Sequence, residues 1–149
     1  MVCHLDGVCL IKNLIYRATV SFVGKRGMIY TGQRIRTFKE SLAYHNTCLG
    51  NFFKRKHCSL ASYIWDLEMH NRGWSIKWEK IKECTTYSRE SKRCDLCDSE
   101  KHEILKRMIE DSSNVLNSRI EFMRPCSHRN RESLSDQECS HHYELSKST

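Results

Sequence analysis

The feature that most constrains this chain is a strict alternation near its start. From Ile15, the residues Tyr16, Ala18, Val20 and Phe22 fall on one side and Arg17, Thr19 and Ser21 on the other. That is the period of a half-exposed strand. Gly24-Lys25-Arg26-Gly27 then reads as a turn, and Met28-Ile29-Tyr30-Thr31-Gly32 as a second short strand ended by Gly32. Residues 14–32 are therefore expected to form a hairpin with a glycine-bounded loop.

After the hairpin the period changes to that of helices. Thr37 caps a helix from Phe38 to about Cys48, with Glu40 in the capping-box position. Ser59 caps a second helix, which carries Leu60, Tyr63, Ile64 and Leu67 at helical spacing and stops at Asn71-Arg72-Gly73. A basic loop, Lys54-Arg55-Lys56-His57, lies between them. Trp74, Ile76 and Trp78 alternate with Ser75, Lys77 and Glu79 as a third strand that sets two indoles on the core. These aromatics read as core, because a base-stacking platform must stay exposed. Residues 85–97 are polar and cysteine-bearing. Asp98 or Ser99 then caps a helix from Glu100 to about Glu110, with Ile104, Leu105, Met108 and Ile109 as one apolar face. A short helix is expected near 114–122. From 132 to 149 the chain has too few apolar residues to offset ordering entropy and reads as a disordered tail. The expected fold class is α+β: one domain over 1–131, with a small three-stranded antiparallel sheet flanked by helices in the order β-β-α-α-β-α, and room for a zinc knuckle.

Composition narrows the class of function. Hydrophobic residues at 39% and charged residues at 29% are a globular balance. The opening Met1-Val2-Cys3-His4-Leu5-Asp6 lacks the marks of a signal peptide, and no run of eighteen apolar residues occurs. A soluble intracellular protein, nuclear or cytoplasmic, with no membrane partner is expected. Lys and Arg number 25 against 18 Asp and Glu, a net charge of +7 that favours a polyanionic partner. Nine cysteines is an odd number, and without a secretory segment thiols or metal thiolates are expected over a disulfide framework. Cys94-Asp95-Leu96-Cys97 has the two-residue gap of a zinc half-site.

The hairpin carries two tyrosine tripeptides, Leu14-Ile15-Tyr16 and Tyr30-Thr31-Gly32. With two helices, a strand and a glutamate-bearing helix following, this layout resembles the GIY-YIG nucleases. The likeness extends through Cys3 and Cys9, Ile15-Tyr16-Arg17-Ala18, Phe38-Lys39, His45, Tyr63-Ile64-Trp65-Asp66-Leu67, Lys92-Arg93-Cys94-Asp95-Leu96-Cys97, Ser99-Glu100-Lys101, Leu116-Asn117 and Cys126-Ser127-His128-Arg129-Asn130. Over residues 3–134 the chain resembles the GIY-YIG domain attached to reverse transcriptases of Penelope-like elements.

The resemblance implies a metal-dependent DNA endonuclease module, joined to a reverse transcriptase in a longer parent protein. It implies Tyr16 and Tyr30 near the attacking water, His45 assisting, Glu100 as the single carboxylate ligand of Mg²⁺ or Mn²⁺, and Asn117 in support. On pattern alone, Tyr16 and Tyr30 are packing residues, His45 is a surface or packing residue and Glu100 is a helix-start carboxylate. The family pattern also adds Cys3 and Cys9, and Cys126 with His128, to the half-site. The first choice for a zinc set is Cys3, Cys9, Cys94 and Cys97, and the second is Cys94, Cys97, Cys126 and His128; sequence does not decide between them. Cys48, Cys58, Cys84 and Cys139 read as incidental.

One departure matters most. Where the family carries an arginine three residues after the phenylalanine of the first helix, this chain has Ser41. Serine cannot offer a charged, bidentate fork to a phosphoryl transition state. Arg34 and Arg36, in the expected loop before the helix, are the nearest cations that could take its place. A weakened or inactive nuclease is therefore one expectation. The other is a zinc-stabilised module that holds DNA or RNA through Arg34, Arg36, Lys54, Arg55 and Lys56 without cutting, or a decayed fragment.

Overall fold

A computed structural model of the chain describes Leu5, Gly7 and residues 9–129. The tail expected over 132–149 lies outside the described residues.

Strand β1 (Leu14–Phe22) pairs antiparallel with β2 (Met28–Arg34) on one side and β3 (Trp74–Glu83) on the other, giving the order β2-β1-β3. The fold is α+β around this three-stranded antiparallel sheet, as the alternation predicts. Tyr16 stands opposite Gly32 and Ala18 opposite Tyr30. A Cβ at Gly32 would lie 2.5 Å from the Cζ and hydroxyl of Tyr16, so only glycine lets that ring cross the strand. Gly32 is therefore a packing requirement and not a stop, and β2 continues through it to Arg34. In β3 the register slips between Ile15 and Tyr16, which leaves Ile81 as the extra residue. Ile81 then packs with Ile15 and the knuckle cysteines.

Helices α1 (Phe38–Gly50) and α2 (Ser59–Met69) cover the β1 face that bears Tyr16, Ala18 and Val20. The Glu40 carboxylate accepts from the Thr37 N–H at 3.2 Å, so the expected cap is in place. Phe38, Leu60 and Ile64 are fully buried here. Helix α2 ends where Asn71 takes a φ of 53°: the Asn71 N–H reaches the Glu68 carbonyl, and the Arg72 N–H reaches the Leu67 carbonyl. These are the paired bonds of a left-handed helix stop. The basic stretch expected as a loop is a 3-10 turn, Phe52–His57, held by Phe52 against Trp65 and by Arg55 stacked 3.7 Å over the Phe52 ring.

The opposite face is covered by α3 (Asp95–Asp111), which starts at Asp95 and not at Glu100. A two-rung ladder of β4 (Tyr87–Ser88) with β5 (Arg93–Cys94) feeds the chain into it, and the Asp95 carboxylate accepts from the Thr85 N–H at 3.0 Å. The earlier start places Cys94 at the cap and Cys97 in the first turn, and it changes which residues face inward. Leu96, Cys97 and Ile104 are buried, whereas Leu105 and Ile109, expected in the apolar face, are 44% and 77% exposed. The chain then runs along the free edge of β2, where the Leu116 N–H bonds the Ile29 carbonyl at 2.8 Å, and ends in α4 (Arg119–Met123). No helix among the described residues is long and apolar enough to cross a membrane.

Candidate functional site

Tyr16 and Tyr30 share the sheet face that meets α1. His45, one turn beyond Ser41 on that helix, is buried between them. The Tyr16 hydroxyl lies 2.8 Å from His45 Nε2, and the Tyr30 and His45 rings are 5.7 Å apart, with Phe38 and Trp78 walling the Tyr16 side. Cys58, read as incidental, approaches His45 Nδ1 at 3.5 Å.

Burial dominates the electrostatics of this cluster. It pulls the His45 pKa down to about 4, with the positive charge of Arg34 adding to the effect. Loss of water around the hydroxyls raises Tyr16 and Tyr30, Tyr30 well above its ordinary value. The Ser41 side chain offsets part of the rise at Tyr16 by hydrogen bonding. At neutral pH His45 is therefore neutral and both tyrosines keep their protons. With its own proton on Nδ1, His45 accepts the Tyr16 hydrogen bond at Nε2.

Glu100 stands on α3, across the sheet, yet its charge acts on both tyrosines. Desolvation lifts its pKa to about 7, and a hydrogen bond from Gln33 opposes the rise. Asn117 closes the β2 edge beside Gly32: its Oδ1 accepts from the Thr31 N–H at 2.8 Å, and its Nδ2 donates to the Thr31 carbonyl at 2.7 Å. One amide thus replaces a missing strand neighbour. Tyr16, Tyr30, His45 and Asn117, which lie far apart in sequence, meet around the Tyr30–Gly32 segment of an edge strand, while Glu100 lies across the sheet and acts on the tyrosines through its charge.

The basic residues divide. Arg34 belongs to β2 and its charge reaches Tyr16 and His45. Arg36 pairs with Glu40 at 3.5 Å on the rim. Lys54, Arg55 and Lys56 occupy the 3-10 turn, where Arg55 is engaged by the Phe52 ring and carbonyl.

A second constellation sits at the start of α3. Cys94, Cys97, Cys126 and His128 place one ligand atom each within 4.8 Å of one another, and both Cys94 Sγ and Cys97 Sγ lie 3.3 Å from His128 Nδ1. Four soft donors at this spacing fit a tetrahedral ion with bonds of about 2.0–2.3 Å, so the cluster can hold a structural metal such as zinc. Among the described residues the fold assembles the second choice of set and not the first. Cys9 is disulfide-bonded, and Cys3 lies outside the described residues.

Several residues near these sites are given no role by the sequence alone. Gln33 donates to Cys97 Sγ at 3.5 Å and acts on Glu100, linking the two constellations. Glu121 accepts from Ser59 Oγ at 2.7 Å and from the Ser118 N–H at 2.9 Å, tying α4 to α2. Lys92, Arg93, Lys101 and Arg129 line a groove of about 620 Å³ at the knuckle. Their signal was available, since Lys92 and Arg93 directly precede the half-site. Comparison with protein-family models, with curated proteins and with solved structures finds no match to this chain.

Proposed function

We propose that this chain is a metal-dependent endonuclease module of the GIY-YIG type, acting on DNA, derived from a retroelement protein that also carries a reverse transcriptase, and weakened by Ser41. The reading rests on the meeting of Tyr16, Tyr30 and His45 on one face of β1 and β2, with Glu100 on the helix across the sheet, and the 2.8 Å contact between Tyr16 and His45 is its main support. Hydrolysis of a phosphodiester needs an attacking water held in line, and neutral His45, accepting from Tyr16, fixes the phenol that would orient that water. Raised tyrosine pKa values keep the hydroxyls intact until a cation enters. Glu100, half-buried and with Glu121 acting near it, suits an ion that takes one carboxylate and keeps most of its waters. Mg²⁺ or Mn²⁺ there supplies charge to offset the phosphate and leaving oxygen. Zinc is the ion we assign to Cys94, Cys97, Cys126 and His128, where it pins the start of α3 and so the position of Glu100.

A second reading, a DNA- or RNA-binding module that does not cut, draws on Ser41. That residue is 3% exposed beneath Tyr16 and offers no cation to a transition state. Supercoiled plasmid incubated with zinc-replete protein and Mg²⁺ or Mn²⁺ separates the two. The nuclease reading predicts slow nicking that Glu100→Ala abolishes and Ser41→Arg accelerates. Salt-dependent binding without nicking by any of the three proteins would establish the second reading.

A further inference from the structure

Ser41 leaves the buried Tyr16 and His45 cluster without a cation from α1, but β2 places one on the same sheet face. Arg34 stands opposite Leu14 on the same sheet face as Tyr16 and Tyr30, at the next pair on that face after Tyr16 and Gly32. Its side chain is half-buried, and its Nε is withdrawn from water with no hydrogen-bond partner. Arg17 and Arg107 also carry an unpartnered Nε, yet each has a carboxylate within reach, Glu103 at 3.8 Å and Glu110 at 3.3 Å. Arg34 forms no ion pair among the described residues. Its charge is felt instead by His45 and Tyr16. A permanently charged fork with an unused donor, acting on a phenol and an imidazole and paired with no carboxylate among the described residues, calls for an anion, and guanidinium geometry matches paired phosphate oxygens.

We propose that Arg34 is a phosphate-binding residue, seating a phosphodiester from strand β2 at the outer rim of the buried Tyr16 and His45 cluster. The identity of the ligand as a nucleic-acid phosphate rests on the nuclease reading; the anion seat rests on the arrangement itself. Arg36 is not equivalent, since it is held on the rim by Glu40.

Two readouts on the zinc-replete full chain test this. Inorganic phosphate is titrated while the His45 ring resonances are followed by NMR, and plasmid nicking is measured with Mg²⁺. The variants are Arg34→Met, which keeps the apolar stem, and Arg34→Lys, which keeps the charge; native amide spectra establish that each is folded. The expected result is a saturable phosphate-induced shift of His45 in the natural protein, weakened in Arg34→Lys and absent in Arg34→Met. Nicking should fall about a thousandfold in Arg34→Met, the size of effect seen when a phosphoryl-stabilising arginine is lost. An unchanged phosphate response in Arg34→Met, or no response in the natural protein, overturns the proposal. The two readings fail separately. An Arg34-dependent phosphate response without nicking by the natural protein would leave the anion seat standing and remove the nuclease. Equal nicking by the natural protein and Arg34→Met would keep the nuclease and remove Arg34 from it.

Discussion

The two faces of the sheet are built from different materials. Toward α1 and α2 lie Leu14, Val20, Phe38, Leu60, Ile64 and Trp78, a continuous apolar layer with His45 set into it. Toward α3 the buried cluster is Ile15, Cys94, Leu96 and Cys97, in which half the members are thiols belonging to the metal-capable set. The first face has enough apolar area to hold two helices. The second is thin, and its helix starts from a cysteine cap. The contrast teaches that the two tyrosines and His45 stand on a hydrophobic foundation, whereas Glu100 stands on a helix whose start is set by the cysteines of the metal-capable cluster.

The largest expected effect follows directly. Removing zinc by chelation, or replacing Cys97 by Ser, should release α3 and residues 126–128, because an ion at such a knuckle contributes roughly 10 kcal/mol. Hydrogen exchange should show lost protection over Asp95–Asp111 with α1 and α2 still protected; equal loss everywhere would break the contrast between the faces. Phe38→Ala tests the other face. It should cost about 3–5 kcal/mol of unfolding free energy whether or not zinc is bound, read from denaturant midpoints.

Much of this architecture was legible in the sequence, and the misses have physical causes. The alternation of β1, the Thr37 cap and the Asn71 stop are local signals, and each appears where local chemistry puts it. The start of α3 was misplaced because the Thr85 bond to Asp95 and the β4–β5 ladder are contacts made by a preceding segment, invisible to helix periodicity. Leu105 and Ile109 were misassigned to the core for the same reason, since shifting the start changes the inward stripe. The site tyrosines, His45, Glu100 and Asn117 entered through family resemblance. Gln33 and Cys58 could not be found, because their significance arises only across the strand edge and between helices.

Smaller effects distinguish the two halves by pH in the zinc-loaded protein without Mg²⁺ or Mn²⁺. Folding depresses the His45 pKa to about 4 from an ordinary 6.5, so the unfolded chain binds more protons between those values. Stability from this residue falls as pH drops through that window, by up to roughly 3 kcal/mol. Glu100 is shifted the other way, from 4.5 to about 7, so the folded state binds more protons and stability falls as pH rises across that range. The two slopes oppose each other where they overlap. His45→Gln should therefore unmask a decline with rising pH, and Glu100→Gln a decline with falling pH, in urea midpoints taken between pH 4.5 and 7. Parallel profiles for the two variants would contradict the assignment. Last in size, Gly32→Ala should cost about 1–3 kcal/mol through overlap with the Tyr16 ring, seen as a lowered thermal midpoint.

The most direct test of the central claim compares Tyr16→Phe and His45→Gln with the natural protein, in Mg²⁺-dependent nicking of supercoiled plasmid and in DNA binding measured without a supporting cation. The account predicts nicking by the natural protein that each substitution lowers about a hundredfold or more, with DNA affinity unchanged. Nicking that survives both substitutions, or a natural protein that binds DNA and never nicks it, would contradict it.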